Sequence, residues 1–417
     1  MSRRVLIIGG GVIGLCAACY SARRGHRVSV LDLAAEDHEG CSYGNAGMIV
    51  PSHFVPLAAP GMVAMGFKMM WNPESPFYIK PRLNVDLLDW GLKFIRAANR
   101  GHVTRSAPLL RDLSLASRSL FEELAELPGA DFGLVKRGLL MLCRTQHALD
   151  EEAKFAGQAN QLGVPAEVLT ARQIAELDPG ARLNVAGGVL FPKDCHLTPH
   201  RFMAALKAEC FRLGVAFHWG TRVTGVERQG SGVVGVMAGE ERFAADEFVL
   251  CGGSWSPLLA RGLGLRLPMQ AGKGYSLTLP RPRQLPRLCH ILTEARVAVT
   301  PMGGSLRFGG TMEITGLNED INPARVQGII KSSLQYYPDF TAADFAGIRP
   351  WCGLRPCSPD GLPYLGRTAR FSNLTIATGH AMMGLSLGPI TGKLVSEILD
   401  GEPLPIAIGQ LSPDRYA

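Results

Sequence analysis

The sequence predicts a mixed α/β and α+β fold, in which a Rossmann-like domain is assembled from discontinuous segments and carries an inserted, mainly antiparallel sheet. Two observations predict it. Strand-like apolar runs near the start of the chain, near residue 250 and near residue 375 each lead into a glycine-containing turn and a helix-like stretch, as in a parallel sheet. Segments within 270–310 instead alternate apolar and polar residues, as antiparallel strands do. A chain of 417 residues is long enough for two domains.

The first segment contains a nucleotide-binding pattern. Residues 5–8 are apolar and β-branched and run directly into a G-x-G-x-x-G loop at residues 9–14, followed by a helix-like stretch and a second strand that ends at Asp32. The first glycine permits the tight turn, the second lets the backbone approach a pyrophosphate, and the third lets helix and strand pack closely. The helix N-terminus offers free N–H groups to phosphates, and the acid lies where ribose hydroxyls are bound. We expect the following residues to hold a dinucleotide: Gly9, Gly11, Val12, Ile13, Gly14, Asp32 and Leu33.

Composition limits the class of partner. The formal net charge of +7 is spread along the chain without a run of five basic residues, so we expect no nucleic-acid partner. Ten cysteines without a secretory signal predict free thiols in a reducing compartment, and hence a cytoplasmic protein. Cys16 and Cys19 lie within the first predicted helix, which favours packing over redox chemistry. Because Pro199 breaks the spacing between His196 and His200, we expect no metal site.

The apolar segments of the sequence bear on contact with a membrane. No run of eighteen apolar residues lacks proline or charge, so we expect no transmembrane helix. The apolar segment 57–71 is compatible with a peripheral position at the inner face of the membrane, and equally with a buried loop and short helix. The prolines in and before this segment favour the second interpretation.

Regular patterns continue through the rest of the chain. Helical periodicity predicts helices over residues 83–100, 107–127, 146–162, 170–177, 200–213, 326–336 and 386–399. Strand patterns occur at residues 139–143, 215–219, 223–228, 232–238, 241–245, 248–250, 275–279, 296–300, 305–309 and 374–377. We therefore assign residues 1–82, 146–222, 246–262 and 350–417 to the dinucleotide-binding domain, and residues 83–145 and 263–349 to the inserted substrate domain.

Three further segments carry a resemblance to a known family. Residues 42–47, Ser-Tyr-Gly-Asn-Ala-Gly, resemble a loop that lies under a flavin, and residues 274–278, Gly-Tyr-Ser-Leu-Thr, resemble a strand of the substrate domain. The C-terminal signature comprises Gly353-Leu354-Arg355-Pro356, then Asp360-Gly361 with Pro363 and Gly366, then Thr378-Gly379-His380 with Gly384. From end to end the chain is similar to the D-amino-acid oxidase superfamily of FAD-dependent amine oxidoreductases, and especially to the bacterial D-amino-acid dehydrogenases.

The resemblance implies FAD as the cofactor and adds contacts to those of the glycine loop. The last helix would direct its N-terminus toward the pyrimidine edge of the flavin, where a positive dipole stabilises the reduced, anionic form. The additional cofactor residues are Ser42, Asn45, Ala46, Gly47, Met48, Val223, Gly252, Gly253, Trp255, Gly379, His380, Gly384, Leu385 and Ser386. Some members of the superfamily tether FAD to a cysteine, for which Cys352 is the candidate here, whereas the nearer relatives imply binding without a covalent link.

Arg355 is the strongest candidate for the substrate site. Oxidising an amino acid requires its Cα–H to be aimed at flavin N5, and a guanidinium that holds the carboxylate through two parallel hydrogen bonds fixes that aim. The arginine of the family's G-L-R-P motif has this role. Tyr275 is a second candidate, for the carboxylate or the pocket wall, with packing in the sheet as an equal alternative. Met48, His53 and His196 complete the substrate set, although a structural role is the simpler explanation for each histidine.

The resemblance implies oxidative deamination of a D-amino acid or cyclic imino acid, by hydride transfer from Cα to flavin N5. Electrons would pass to a respiratory acceptor, either a quinone or a carrier. Residues 45–53 are also similar to a narrower group that acts on cis-4-hydroxy-D-proline, or on a substrate like D-proline. The alternative is an amine oxidase that uses oxygen, like glycine or sarcosine oxidase. A flavin monooxygenase and a non-catalytic FAD-binding subunit are the other classes considered.

Overall fold

A computed structural model describes residues 2–70 and 72–417, so that Trp71, the last residue of the apolar segment 57–71, lies outside the described residues. Its helices are α1 (Val12–Arg23), α2 (Met62–Met69), α3 (Val85–Ala97), α4 (Arg100–Ala125), α5 (Gln146–Gln161), α6 (Ala171–Leu177), α7 (Pro199–Arg212), α8 (Ser256–Gly262), α9 (Pro323–Leu334) and α10 (Gly384–Asp400). Its strands are β1 (Arg4–Ile8), β2 (Arg27–Leu31), β3 (Met48–Ile49), β4 (Phe77–Ile79), β5 (Leu139–Cys143), β6 (Glu167–Thr170), β7 (Gly187–Phe191), β8 (Cys195–His196), β9 (Ala216–His218), β10 (Gly225–Gln229), β11 (Gly232–Ala238), β12 (Glu241–Phe243), β13 (Glu247–Leu250), β14 (Gln270–Leu279), β15 (Cys289–Leu292), β16 (Val297–Met302), β17 (Ser305–Ile314), β18 (Trp351–Cys357), β19 (Tyr364–Arg367) and β20 (Leu374–Thr378).

A six-stranded sheet forms the first half of the architecture, in the order β19-β20-β13-β1-β2-β9. All neighbouring pairs are parallel except β19 with β20. The three apolar runs near the start, near 250 and near 375 thus lie side by side, which confirms the predicted assembly from distant pieces. Helices α1 and α10 pack closely against each other, because a Cβ at Gly392 of α10 would lie only 2.5 Å from the backbone of Cys16 in α1.

A nine-stranded, mostly antiparallel sheet forms the second half, in the order β18-β14-β17-β16-β15-β5-β7-β6, with β4 added beside β17. The predicted antiparallel segments within 270–310 are confirmed as β14, β16 and β17, and β17 lies between the other two strands and pairs with both. Their buried face holds an aromatic cluster in which Phe308 contacts Tyr337, Phe340 and Phe345 edge to face. Helix α9 covers part of this face with Ile329 and Ile330.

Sheet membership differs from the predicted domain boundaries. β6 and β7 come from the segment 146–222, and β18 comes from 350–417, yet all three belong to the nine-stranded sheet rather than to the dinucleotide-binding sheet. Conversely, α4 belongs to the segment 83–145 but packs against α10. The physical reason is that strand partners are chosen by contacts between distant residues, which alternation along one segment does not report.

Most predicted helices agree with the structure to within a few residues, and α4 is the main exception. It begins at Arg100 rather than at residue 107, because the side chain of Asn99 accepts a hydrogen bond from the His102 amide at 2.9 Å and caps the helix. Pro108 therefore lies inside α4. The strands β3, β4, β6, β7, β8, β15, β18 and β19 were not predicted.

All ten cysteines are free thiols, as predicted, and eight of them are buried. Cys16 and Cys19 pack as small apolar side chains within α1, where burial raises the pKa of Cys16 well above its ordinary value. Across residues 2–70 and 72–417 no group of three or more His, Cys, Asp or Glu side chains is placed to hold a metal ion. No helix in that part of the chain is long and apolar enough to cross a bilayer.

Candidate functional site

The glycine loop has a conformation that requires glycine. Gly9 has a φ of +113°, and a Cβ at Gly14 would lie 1.8 Å from the carbonyl oxygen of Gly9. A Cβ at Gly11 would have only the Ser42 hydroxyl near it, at 3.7 Å, because this glycine faces a large cavity. The backbone of the loop therefore lies open to a ligand at the N-terminus of α1, as expected for a pyrophosphate site.

Asp32 stands at the end of β2 beside this loop and lines the same cavity. Its carboxylate accepts hydrogen bonds from the amide of Gly10 at 2.5 Å and from the amide of Ala34 at 2.8 Å. These bonds orient the carboxylate and leave lone pairs for a further donor. The geometry is compatible with the predicted ribose contact and shows in addition that Asp32 holds the glycine loop in place.

A tryptophan packs against the predicted flavin loop at residues 42–47 and leaves no room for a side chain at Gly44. A Cβ at Gly44 would lie 2.0 Å from the ring of Trp351, and one at Gly353 would lie 2.2 Å from the same ring. Arg307 donates hydrogen bonds to the carbonyls of Tyr43 and Asn45, at 3.2 and 2.8 Å, and so fixes the path of the loop. Sequence reasoning missed Arg307 and Trp351, since neither belongs to a local motif.

The cavity has a volume of about 1460 Å³, well above the roughly 300–1,000 Å³ of an ordinary small-molecule pocket. The residues that line it come from both large sheets. Its volume leaves room for a dinucleotide and a substrate together. The predicted residues that line it are Gly9, Gly11, Val12, Ile13, Asp32, Leu33, Ser42, Asn45, Ala46, Met48, His53, Val223, Gly252, Gly253, Trp255, Tyr275, Arg355, His380, Gly384 and Leu385.

Five predicted residues lie behind the wall instead. Gly47 and Gly379 have φ angles of +74° and +78°, and a Cβ on either would meet neighbouring atoms within 3 Å, so each permits a tight turn. Ser386 accepts a hydrogen bond from the Val50 amide at 3.1 Å, and Gly14 packs against its own loop. These four shape the site rather than line it. His196 is the remaining residue.

His196 differs from its predicted role as a substrate contact. Its side chain is 1% exposed, and it belongs to β8, which pairs with Met48 of β3. Met48 lines the cavity, whereas His196 does not. Burial lowers the pKa of His196 to about 4, so the imidazole is neutral. The pattern of residues along the chain could not show which side of this two-stranded ladder faces the cavity.

Arg355 lies in the cavity wall on β18. Its Nη1 donates to the carbonyl oxygen of Thr311 at 2.7 Å, and its guanidinium rests directly on Gly274 of β14, where a Cβ would be 2.1–2.3 Å away. No carboxylate among the described residues forms an ion pair with it. One of the five N–H donors of the guanidinium is therefore used, and the other four are free to bind an anion in the cavity.

Tyr275 also lines the cavity, on the neighbouring strand β14, but its hydroxyl is already engaged. It donates to Oε2 of Glu313 at 2.5 Å and accepts from the amide of Asn322 at 3.3 Å. Burial and this bond to Glu313 raise the pKa of Tyr275. Because the single hydroxyl proton goes to Glu313, the ring is the part of Tyr275 that faces a substrate, and a hydrogen bond to the substrate carboxylate would require Glu313 to be displaced.

Five charged residues that sequence reasoning missed also line the cavity, namely Asp37, Glu152, Arg222, Arg296 and Glu319. Glu152 comes from α5, and Arg296 comes from the turn between β15 and β16, where it has a φ of +52°. Burial raises the pKa of Glu152, and the nearby Arg296 opposes that shift. A left-handed backbone on a residue other than glycine often marks a functional site, but the sequence gives no signal of it.

Cys352, the residue considered for a covalent link, does not line the cavity. Its thiol donates a hydrogen bond to the carbonyl of Glu319 at 2.9 Å, and burial raises its pKa. A thiol in this state is a poor nucleophile. The structure therefore gives no support to a tether at this position.

Comparison with known proteins identifies the family. The profile of the FAD-dependent oxidoreductase family, DAO, matches residues 4–398. The chain belongs to this family. The D-amino acid dehydrogenase of Allorhizobium ampelinum is 33% identical over 421 residues, covering 99% of each chain. That of Granulibacter bethesdensis is 31% identical over 419 residues, covering 99% of this chain and 100% of the relative.

Solved structures share the fold of this chain. Glycine oxidase from Geobacillus kaustophilus superposes with a TM-score of 0.79 at 24% identity, with all of both chains covered. L-proline dehydrogenase from P. horikoshii superposes with a TM-score of 0.75 at 17% identity, covering 100% of this chain and 98% of the other. The predicted fold class is thus confirmed.

The chain is an FAD-dependent oxidoreductase, and its residues fit the cofactor. The glycine loop leaves an open cradle at Gly11 that a Cβ would fill. In the cavity lining, Nδ1 of His380 is buried without a hydrogen-bond partner among the described residues, while its Nε2 bonds to Thr391 at 3.0 Å. Burial lowers the pKa of His380 to about 3, so the imidazole is neutral and its Nδ1 has a hydrogen-bonding requirement that no described residue meets. The N-terminus of α10 opens into the cavity at Gly384.

Proposed function

We propose that this protein is a D-amino-acid dehydrogenase that oxidises a D-amino acid or cyclic imino acid to the imine. The full-length relatives that bear that name support the reaction class. The observation that carries the proposal is Arg355, whose guanidinium lines the cavity without a carboxylate partner. A substrate carboxylate fits this fork in two parallel hydrogen bonds.

The protein's own residues bind and orient the substrate. Arg355 anchors the carboxylate, and the rings of Tyr275 and His53 bound the space beside it. When bound, FAD supplies the acceptor for the hydride that leaves Cα. The apolar wall around Met48, Val50 and Met141 excludes water from the reacting atoms.

The proposed substrate class includes cis-4-hydroxy-D-proline and D-proline. Support for it comes from residues 45–53, which carry the resemblance, and from the charged residues of the wall. A ring hydroxyl in an apolar cavity needs a polar partner, and Glu152 and Arg296 provide both an acceptor and donors.

The decisive experiment is anaerobic reduction of the purified holoenzyme by a panel of D- and L-amino acids that includes the hydroxyproline isomers. We expect loss of the flavin's visible absorbance with D-substrates and not with their L-isomers. If no amino acid bleaches the flavin, the proposed function is wrong. Stoichiometric hydrogen peroxide in air would instead indicate an amine oxidase that uses oxygen, like glycine or sarcosine oxidase.

We further propose that the electrons pass to a quinone at a membrane surface. Helix α3 exposes an apolar face on which Leu88, Leu92 and Ile95 are 60%, 59% and 54% exposed, and the same three residues line the cavity. Phe67 of α2 adds a further apolar side chain that is 63% exposed. The cavity thus reaches an apolar surface through which a lipid-soluble acceptor could enter.

Charge favours an anionic bilayer as the occupant of this surface. The segment from α2 to the start of α4 exposes cations at Lys68, Lys80, Arg96 and Arg100. Among its described residues the one acid classed as exposed, Asp86, is paired with Arg261. Apolar side chains surrounded by unpaired cations are typical of peripheral binding to acidic lipid headgroups.

Co-sedimentation with vesicles of phosphatidylethanolamine and phosphatidylglycerol tests this surface. We expect the wild type to sediment with the vesicles, and the triple variant with Leu88→Gln, Leu92→Gln and Ile95→Gln to stay in solution while it still reduces a soluble dye. A control variant with Val168→Gln and Leu177→Gln, both on exposed apolar residues elsewhere, should bind as the wild type does. A wild type that does not bind vesicles would contradict this part of the proposal.

A further inference from the structure

Three polar side chains form a continuous hydrogen-bonded chain from the protein interior to the cavity wall. Oδ2 of Asp194 lies 2.5 Å from Oγ of Ser52, and that oxygen lies 2.9 Å from Nδ1 of His53. Asp194 and Ser52 are 0% and 2% exposed, whereas His53 lines the cavity. The chain therefore connects a carboxyl group that no solvent reaches to an imidazole that faces the substrate space.

The bonding fixes the orientation of every proton in this chain. Ser52 has one hydroxyl proton, and with the carboxylate ionised that proton points to Asp194. The serine oxygen then accepts the Nδ1–H of His53, which leaves Nε2 as a lone-pair acceptor. Nε2 makes no hydrogen bond to any described residue. Asp194 is held further by the amide of Ser52, at 3.0 Å from Oδ1.

We propose that His53 removes the ammonium proton of the bound amino acid and that Asp194 receives a proton in turn through Ser52. This inference rests on the proposed function. Nε2 of His53 takes a proton from the substrate nitrogen, the Nδ1 proton moves to Oγ of Ser52, and the serine proton moves to Oδ2 of Asp194. The net change is a neutral amine, whose lone pair can assist loss of hydride from Cα, and a neutral carboxylic acid.

The electrostatics of the surroundings match this direction of transfer. Burial raises the pKa of Asp194 to about 7 and lowers the pKa of His53 to about 4. The buried carboxylate is thus the stronger base of the two, so the imidazole conducts the proton and does not retain it. Arg118 of α4 is the cation that faces Asp194, and Cys195 and Cys289 are the other titratable groups beside it.

Substitution of Ser52 distinguishes proton transfer through its hydroxyl from a merely structural role of this residue. Ser52→Ala removes the connecting hydroxyl, and Ser52→Thr retains it. As a matched control, Ser114→Ala deletes a buried hydroxyl that has no hydrogen-bond partner among the described residues. The flavin reduction rate constant at saturating substrate should be measured anaerobically from pH 6 to pH 10.

We expect the wild-type rate constant to rise with an apparent pKa near 7. In Ser52→Ala the rise should move to higher pH, toward the pKa of the free amine, with a rate about 100-fold lower at pH 7 and close to that of the wild type at pH 10. Ser52→Thr and Ser114→Ala should keep the wild-type profile. A Ser52→Ala rate that is unchanged, or reduced equally at every pH, would overturn the proposal.

A second readout does not depend on turnover. In the substrate-free holoenzyme with ¹⁵N-labelled histidine, assigned through His53→Gln, we expect the Nδ1–H tautomer of His53 at pH 8.5. An Nε2–H tautomer in the wild type would refute the proposed proton transfer from His53 through Ser52 to Asp194. If no amino acid reduces the flavin, the proposed function and the base role fall together, whereas normal reduction with an unaltered Ser52→Ala profile removes only the base role.

Discussion

The substitution Gly274→Ala tests the carboxylate site without touching the arginine itself. The added Cβ would lie 2.1 Å from Nη1 and 2.2 Å from Nη2 of Arg355. Normal van der Waals separation is about 3.5 Å or more, so the guanidinium must move by more than about 1 Å. The backbone tolerates the change, since Gly274 is absent from the residues with positive φ, and the end of an arginine side chain is free to swing aside.

The magnitude of this effect follows from the geometry. A misplacement of about 1 Å in a positioning group costs about 100-fold in rate, which corresponds to about 2.7 kcal/mol. We therefore expect kcat/KM for the best D-substrate to fall about 100-fold, and Arg355→Ala, which removes the fork entirely, to reduce it by about 1,000-fold. FAD content should not change, because neither residue is among the predicted cofactor contacts.

The assay is the steady-state reduction of a soluble dye, together with the ratio of flavin to protein absorbance. Gly157→Ala is the matched control, because Gly157 of α5 is exposed and has no atom within 4 Å of the added Cβ. That variant should keep the wild-type kcat/KM. A folded, flavin-loaded Gly274→Ala enzyme with kcat/KM within about threefold of the wild type would refute the assignment of Arg355 to the carboxylate.

Three further predictions concern cofactor binding and stability. Gly14→Ala places a Cβ 1.8 Å from a loop carbonyl, so the purified protein should contain less than about a tenth of the wild-type flavin; a normal absorbance ratio would contradict this. Asp360→Asn removes the buried carboxylate that pairs at 2.8 Å with the largely buried guanidinium of Arg415, and should lower the unfolding free energy by about 3 kcal/mol in urea titrations. Burial depresses the pKa of His196 and His380 to about 4 and 3, so the unfolded chain binds more protons and the unfolding free energy should fall as the pH drops from about 6.5 to 4. Equal urea midpoints at pH 7.5 and pH 5 would contradict that effect.

The parts of this protein that sequence patterns could predict are those whose physics is local. The glycine loop and its acid lie within one strand–turn–helix–strand unit, and each glycine there relieves a clash with a near neighbour. Arg355 was predicted by a motif, and it lies in the cavity wall. These features need few residues, close together in the chain.

The parts that could not be predicted arise where distant segments meet. Asp194 is 142 residues from Ser52, and nothing in either segment shows that they bond. Arg296 was not predicted as a residue of the cavity wall. Its left-handed backbone is imposed by the turn between two strands and not by its own residue type, so the sequence gives no signal of it. His196 was included in the substrate set although it does not line the cavity, since a strand of two residues has no alternation from which its orientation could be predicted.

The interleaving of the six-stranded sheet has a consequence for biosynthesis. β1 is flanked by β2 and by β13, and α1 requires α10, which ends at Asp400, as its packing partner. At about 5–20 residues per second, a ribosome needs roughly 20 to 80 s after synthesis of the glycine loop to produce that helix. During this interval the nascent chain has a phosphate-binding turn but no walls around it. Flavin can therefore be captured only after translation is nearly complete, and a truncated chain that lacks α10 should leave the ribosome without cofactor and with the apolar face of α1 uncovered.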